Sequence, residues 1–291
     1  MGINFQDVTF KYSKKQQKNT INKLNLSINN DFEFIAILGH TGSGKSTLVQ
    51  LMNALNVPSS GYIYINNQIV TSSNRKNKKI KFKLIRSHVG LVFQFPEYQL
   101  FEDTVLKDIM FGPKNFGKST EEAKTASLNV CELLGISDKM LERSPFSLSG
   151  GQMRKVAIAG ILASNPNILI LDEPTVGLDP KGKDELMRLL KKIQETTHKT
   201  IIMISHDMNI VAEYASRILV MQDGNLVYDG DKRALFENYH QLASYNLDLP
   251  ESAKLAIRLK EDNLINYIHL PLTKEELKQA ILNSNGDNHE W

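Results

Sequence analysis

Nine residues, GHTGSGKST from Gly39 to Thr47, constrain the fold of this chain more than any other stretch. They match the pattern G-x-x-x-x-G-K-[ST], in which glycines let backbone N–H groups converge on phosphate oxygens. That chemistry needs a buried strand to deliver the loop and a helix to receive it, whose N-terminus adds positive dipole. Both are predicted here. FEFIAILG, ending at Gly39, is a nearly continuous apolar run, as in a strand buried on both faces. A helix is expected from about Gly44 to Leu55. The bland alternative, a glycine-rich turn without a ligand, does not explain the strand, loop and helix together.

The candidate phosphate-binding residues are Gly39, His40, Thr41, Gly42, Ser43, Gly44, Lys45, Ser46 and Thr47. Lys45 can reach terminal phosphates, and the Ser46 hydroxyl suits Mg²⁺. ILILDEP, Ile168 to Pro174, reads as the matching half-site. A buried strand delivers Asp172 at its carboxyl end as a candidate Mg²⁺ ligand. Glu173, one residue further, is suited to polarise an attacking water. The alternative for this pair is a helix cap, but a phosphate loop calls for a metal partner. Together the two motifs point to a nucleoside triphosphatase. They do not tell a kinase from a motor or a transporter.

Composition narrows the rest. The 291 residues allow one large core or two modest domains. A net charge of +3 does not imply nucleic-acid binding. The single cysteine, Cys131, excludes an intrachain disulfide and fits a reducing compartment. No apolar run approaches the roughly 20 residues of a membrane-spanning helix. MGINFQDVTF lacks the layout of a signal peptide and matches the myristoylation pattern poorly, with Gln6 where Ser or Thr is wanted. A cytoplasmic location is expected, with any membrane role exerted through a partner.

Along the chain, Ile3, Phe5, Val8, Phe10 and Tyr12 mark a half-buried first strand. GYIYINN reads as another strand, and HVGLVFQ as a buried one ending at Gln94. Arg75, Lys76, Lys78, Lys79, Lys81 and Lys83 read as a solvated loop, with an anionic lipid surface the alternative. From about 96 to 163 the patterning is helical. NILILD and KTIIMIS are buried strands separated by a helix, and Asp223-Gly224 marks a hairpin. DKRALFEN opens a short helix. From about Tyr239 the composition shifts to an acidic tail with two predicted helices, each entered through a proline. Their apolar faces are expected to include Leu255, Ile257 and Leu259, then Leu277, Ala280 and Ile281.

LSGGQMRK, Leu148 to Lys155, has no metal-ligand or nucleophile pattern of its own. Taken alone, its serine and glycines would be a helix cap. In context it resembles the signature of ATP-binding cassette (ABC) ATPases. The phosphate loop, Gln94, LSGGQ, LDEP, GLDP and His206 occur in that family's order. The resemblance implies an α/β P-loop cassette with an inserted helical subdomain, an N-terminal antiparallel β-subdomain and a small C-terminal helical extension. The expected division is 1–238 for the cassette and 239–291 for the extension.

Further roles follow from the resemblance alone. Two cassettes are expected to close head to tail over two ATP molecules. Ser149, Gly150, Gly151 and Gln152 then face nucleotide held by the partner, and Asp179 reaches across the dimer. Tyr12 matches the residue that stacks on adenine, although a strand-face aromatic remains open. Gln94 matches the glutamine that contacts Mg²⁺ or the attacking water, and His206 the histidine that senses the γ-phosphate. Glu173, His206, Gln94 and Lys45 are thus the expected catalytic set, with Ser46, Gln94 and Asp172 for the metal.

Residues Gln94 to Gly117, the signature helix and the tail motifs LDLPESAKLAIRL and LPLTKEEL are similar to a narrower branch, the energy-coupling factor (ECF) transporter ATPases, notably their second type. Lys155 departs from the arginine expected there. This branch implies a paralogous ATPase partner, heterodimeric or homodimeric, at the cytoplasmic face of the cell membrane. It also implies a transmembrane T component and a separate S component for a vitamin or transition-metal ion. The alternative is the ATPase of an ABC importer that uses a soluble binding protein. A soluble ABC protein acting on nucleic acid would need a second cassette or a coiled-coil insertion. The tail is expected either to cap its own cassette or to hold two ATPase subunits together.

Overall fold

The computed structural model describes residues 2–13, 15, 17–29, 31–73 and 80–286. Of the basic stretch, Arg75, Lys76, Lys78 and Lys79 lie outside the described residues, whereas Lys81 and Lys83 are exposed.

Two sheets organise the chain. The first is antiparallel: β1 (Ile3–Phe10), β2 (Ile21–Ile28), β4 (Ser60–Ile65) and β5 (Gln68–Val70), in the order β2-β1-β4-β5. The second contains β3 (Phe34–Leu38), β6 (Val89–Val92), β7 (Ile168–Asp172), β8 (Thr200–Ile204), β9 (Arg217–Gln222) and β10 (Asn225–Asp231). Its order is β10-β9-β3-β8-β7-β6, parallel except for the β9–β10 hairpin at Asp223-Gly224. An α/β cassette with an antiparallel sheet is thus present as expected.

In β1 the period slips by one residue. Ile3 and Phe5, then Val8 and Phe10, are buried, so the phase changes between Phe5 and Val8. The pairing with β2 shows a bulge there, and Asp7 takes φ 47°. A bulge puts two residues opposite one and restores the inward face afterwards. The strand stops at Phe10, so Tyr12 lies beyond it and not on it.

Helix α1 (Lys45–Met52) follows the phosphate loop and is shorter than the sequence expectation, ending before Leu55. Helix α2 (Phe82–His88) leads into β6. Between β6 and β7 the structure is helical: a 3₁₀ turn (Pro96–Gln99), then α3 (Val105–Asn115), α4 (Thr120–Leu134), α5 (Asp138–Leu141) and α6 (Gly150–Leu162). Helix α4 starts at a reciprocal Ser119/Glu122 capping box and stops at left-handed Gly135. Helices α7 (Pro180–Thr197), α8 (Met208–Tyr214) and α9 (Lys232–Glu237) complete the cassette.

Alternation along the buried strands separates three apolar clusters. Ile35 and Ile37 face the antiparallel sheet with Phe5, Val8, Leu48 and Ile170. Phe34, Leu169, Leu171, Ile201 and Met203 pack under the inserted helices and α7. Ala36 and Leu38 join a cluster that also holds Leu242, Ala253, Ala256, Leu272 and Leu277 from the tail. The tail helices, α10 (Glu251–Glu261) and α11 (Lys274–Gly286), therefore close the cassette's own core. The face of α10 differs from the sequence expectation. Ser252, Ala253 and Ala256 are buried, Ile257 and Leu259 are partly buried, and Leu255 is 47% exposed. Small residues let α10 sit close to the core and turn Leu255 outward.

Candidate active site

The carboxyl ends of β3, β8, β7 and β6 lie side by side and carry, in that order, the phosphate loop, His206, Asp172-Glu173 and Gln94. Ligands of open α/β sheets bind at this edge, where loops diverge and helix N-termini converge. A cavity of about 290 Å³ opens there, lined by Tyr12, Thr20, Thr41, Gly42, Gly44, Lys45, Ser46, Thr47, Glu173 and His206.

Within the loop, Gly39 at φ 139° abuts β9, and a Cβ there would lie 2.1 Å from the Met221 carbonyl oxygen. Only glycine fits that approach. The Lys45 ammonium is 6% exposed and donates to the Gly39 and His40 carbonyls at 2.8 and 2.9 Å. Burial lowers its pKa, against the opposing charges of Glu173 and Asp172. Its side chain folds back along its own loop and lines the cavity a phosphate would occupy. His40 turns instead toward Asp223 of the hairpin, at 3.6 Å, and Ser43 is buried beneath the loop.

Asp172 is partly buried, and burial raises its pKa; a hydrogen bond from the Ser46 hydroxyl works in the opposite direction, as do the charges of Lys45 and His206. A strand end and a helix start thus bring one carboxylate and one hydroxyl together. These are oxygen donors of the kind Mg²⁺ takes, with phosphate oxygens and water completing the shell. Among the described residues there is no group of three or more His, Cys, Asp or Glu side chains that could hold a metal by itself. The donor set present fits a cation shared with a bound phosphate.

Glu173 has φ 49°, a left-handed backbone uncommon outside glycine, and such residues cluster at functional sites. Gln94 Nε2 donates to Glu173 Oε2 at 3.1 Å, and His206 Nε2 lies 3.0 Å from Glu173 Oε1. The three predicted residues therefore meet at one carboxylate. Tyr12 is 61% exposed, packs edge-on against Phe10 at 4.9 Å and shares a hydrogen bond with Thr47 at 2.9 Å. Its ring borders the phosphate cavity and is not a core residue of the strand.

The signature residues lie elsewhere. Ser149 caps α6 in a reciprocal box with Gln152. Ser149, Gly151 and Gln152 line a separate cavity of about 180 Å³ that shares no lining residue with the phosphate cavity. Gly150 and Gly151 are exposed, and a Cβ on either would meet nothing within 4 Å. Asp179 caps α7, accepting from the Gly182 amide at 3.0 Å.

One residue the sequence reading missed is Arg154. It is 5% exposed and binds Glu97 through Nε and Nη2, and the Pro174 and Val176 carbonyls through Nη1. The available signal was a cation sharing a helical face with Ile158, in a helix that has no acid of its own.

Comparison with known proteins identifies the family of the chain. The ABC transporter family matches residues 21–176. The energy-coupling factor transporter ATP-binding protein EcfA2 of Streptococcus pyogenes serotype M28 is 47% identical over 283 residues, covering 97% of this chain and 99% of that protein. This chain belongs to the ABC transporter ATP-binding family, as an energy-coupling factor ATPase of the second type. Among solved structures, cbiO1 of Clostridium perfringens, part of the ABC transporter complex cbiONQ, matches at TM-score 0.71 and 35% identity, covering 87% of this chain and 97% of that one. The ATP-binding cassette MJ0796, in a dimeric post-hydrolysis state bound to ADP and Pi, matches at TM-score 0.67 and 30% identity, covering 80% and 100%. The energy-coupling factor cassette is thus an ATP-binding and ATP-hydrolysing subunit.

Proposed function

We propose that this ATPase energises an ECF-type importer from the cytoplasmic face of the cell membrane. In this reading a paralogous ATPase subunit, a transmembrane T component and a substrate-binding S component for a vitamin or transition-metal ion complete the complex, and no nucleic acid takes part. On the same reading, residues 1–238 form the cassette, with its helical subdomain at about 96–163, and the extension, although packed on the cassette's own core, adds a second dimer contact.

The observation that carries the dimeric mechanism is the glycine pair. Gly150 and Gly151 sit in the first turn of α6 without positive φ and without a neighbour that excludes a Cβ. Glycine there costs up to about 1 kcal/mol relative to alanine. Its use is explained by a surface that approaches from outside the chain. Ser149 and the free N–H groups of α6 then face an anion held by the partner, at a helix N-terminus suited to it. Leu178 and Gly182, on either side of Asp179 in the chain, line the same cavity as Ser149 and Gly151. Closure excludes water and completes each site from two chains.

At this chain's own site, the loop amides and Lys45 hold the phosphates, Tyr12 stacks on the base, and Thr47 anchors the Tyr12 hydroxyl. Ser46 and Asp172, with Gln94 just past the neighbouring strand β6, would hold Mg²⁺, which supplies neutralisation of phosphate charge when bound. Glu173 accepts the proton of the attacking water as general base. His206 fixes that carboxylate and reports the γ-phosphate.

The exposed aromatics beyond Gln94 support the membrane partner. Tyr98, Phe101 and Phe111 are 85, 56 and 48% exposed, and the last two pair edge-on at 4.9 Å. An aromatic patch of this kind suits a docked helix. No helix among the described residues is long and apolar enough to cross a membrane. Intact-mass measurement of the complex purified from membranes tests the reading. The expected result is a second ATPase, a T component and a small S-type membrane protein. A soluble binding protein in place of the last would overturn it.

A further inference from the structure

We propose that Arg154 is a positioning residue that sets the Gln94–Glu173 pair from the signature helix. The inference rests on Glu173 being the catalytic base. The guanidinium reaches both segments that leave the site. Glu97 lies three residues after Gln94 and is held through both carboxylate oxygens, at 2.9 and 3.2 Å. Pro174 and Val176 lie one and three residues after Glu173, and their carbonyls accept at 2.9 and 3.1 Å. One planar group therefore ties the Glu97 side chain, three residues beyond Gln94, to the backbone just beyond Glu173. Arg154 is buried and Glu97 partly buried, at 6 and 13% side-chain exposure, so little solvent screens the contact.

The shape of arginine matters. Its fork supplies five donors in a fixed plane, and a lysine ammonium cannot hold two carbonyls and a bidentate carboxylate together. Left-handed Glu173 gives the clamp a purpose, because a sparsely populated backbone persists only when its surroundings over-determine it. Arg154 shares α6 with Ser149, five positions away. Movement of α6 against a partner's nucleotide is thereby felt at this chain's own carboxylate.

The test uses the full chain in the assembled transporter complex. Arg154→Met, Arg154→Lys, Glu97→Gln and the swap Glu97→Arg with Arg154→Glu are compared with wild type and with Glu173→Gln. The readouts are kcat and KM for ATP, with melting and nucleotide affinity as checks of folding. Loss of a contact made for the transition state lowers kcat and leaves KM in place. Arg154→Met and Arg154→Lys are each expected to lower kcat at least ten-fold, with KM within about three-fold. Glu97→Gln, which spares both carbonyl bonds, is expected to fall between them and wild type. The swap is expected to stay impaired, since a glutamate cannot donate to the carbonyls. If Arg154→Met fails to assemble, Arg154→Lys, which keeps the charge, decides alone. Wild-type kcat in a folded Arg154→Lys complex, or full rescue by the swap, would overturn the proposal. If instead Glu173→Gln is as active as wild type, the assignment of the base has failed, and that outcome is read separately.

Discussion

Gln94 Nε2 lies 3.1 Å from Glu173 Oε2, although 79 positions separate the two residues. The other carboxylate oxygen faces His206 at 3.0 Å. Each oxygen of Glu173 thus meets a side chain from the loop after a neighbouring strand, β6 or β8. In the proposed mechanism a γ-phosphate and its attacking water enter among these contacts, which would link binding to the arming of the base.

Asp172 gives a prediction about stability. Burial raises its pKa above that of an ordinary aspartate. A carboxyl with a raised folded-state pKa favours folding while protonated, and that contribution is lost as pH rises through the folded value. At neutral pH, Asp172→Asn without nucleotide is therefore expected to melt above wild type. Holding Mg²⁺ requires the ionised carboxylate. The Mg²⁺-dependent part of the ATP-induced thermal shift should weaken as pH falls through the raised value, and vanish in Asp172→Asn. Thermal melts across pH check both; a variant that melts lower and keeps its Mg²⁺ shift would refute the ligand role.

The proposed division of labour across the dimer predicts two variants that spare the isolated chain and slow the complex. Ser149→Arg should leave ATP affinity of the isolated subunit within about three-fold, while ATPase of the complex falls ten-fold or more. Gly151→Ala should stabilise the isolated chain by up to about 1 kcal/mol, since nothing within 4 Å opposes the Cβ. It should nonetheless slow the complex. Isothermal titration and steady-state ATPase separate the two effects, and lost affinity with normal turnover would contradict action in trans.

Much of this was legible in the sequence, and the reason is physical. Parallel strands buried on both faces are continuous apolar runs, so FEFIAILG, HVGLVFQ, NILILD and KTIIMIS stood out. The motifs sit at their carboxyl ends, so their convergence followed from the fold. The β1 bulge, the position of Tyr12 and the rotation of Leu255 were not legible, because each depends on a packing partner distant in sequence. Arg154 escaped for the same reason: its acceptors at Glu97 and Val176 are 57 and 22 residues away. The basic run about Lys76 remains outside the described residues.

The tail calls for point variants instead of truncation. Removing residues 239–291 would strip Leu242, Ala253, Ala256, Leu272 and Leu277 from the cluster built on Ala36 and Leu38. Leu264 and Ile268 are 59 and 96% exposed. Leu264→Asp with Ile268→Asp is expected to change stability by no more than about 0.5 kcal/mol per site. Nucleotide-free association with the partner ATPase should weaken if the extension is a second dimer contact. Analytical ultracentrifugation without nucleotide reads this directly, and undiminished association of the folded variant would leave the tail a cap on its own cassette.

The central claim is that Glu173 is the base of an ATP-hydrolysing site closed by two cassettes. Glu173→Gln keeps the side chain's shape and an acceptor oxygen for Gln94 but removes the basicity. ATP turnover by the assembled complex, with the equivalent change in every ATPase subunit, is the most direct measurement. Turnover is expected to fall by about 10²–10⁴, with ATP affinity retained and the closed dimer accumulating. Near-normal turnover in that complex would contradict the account.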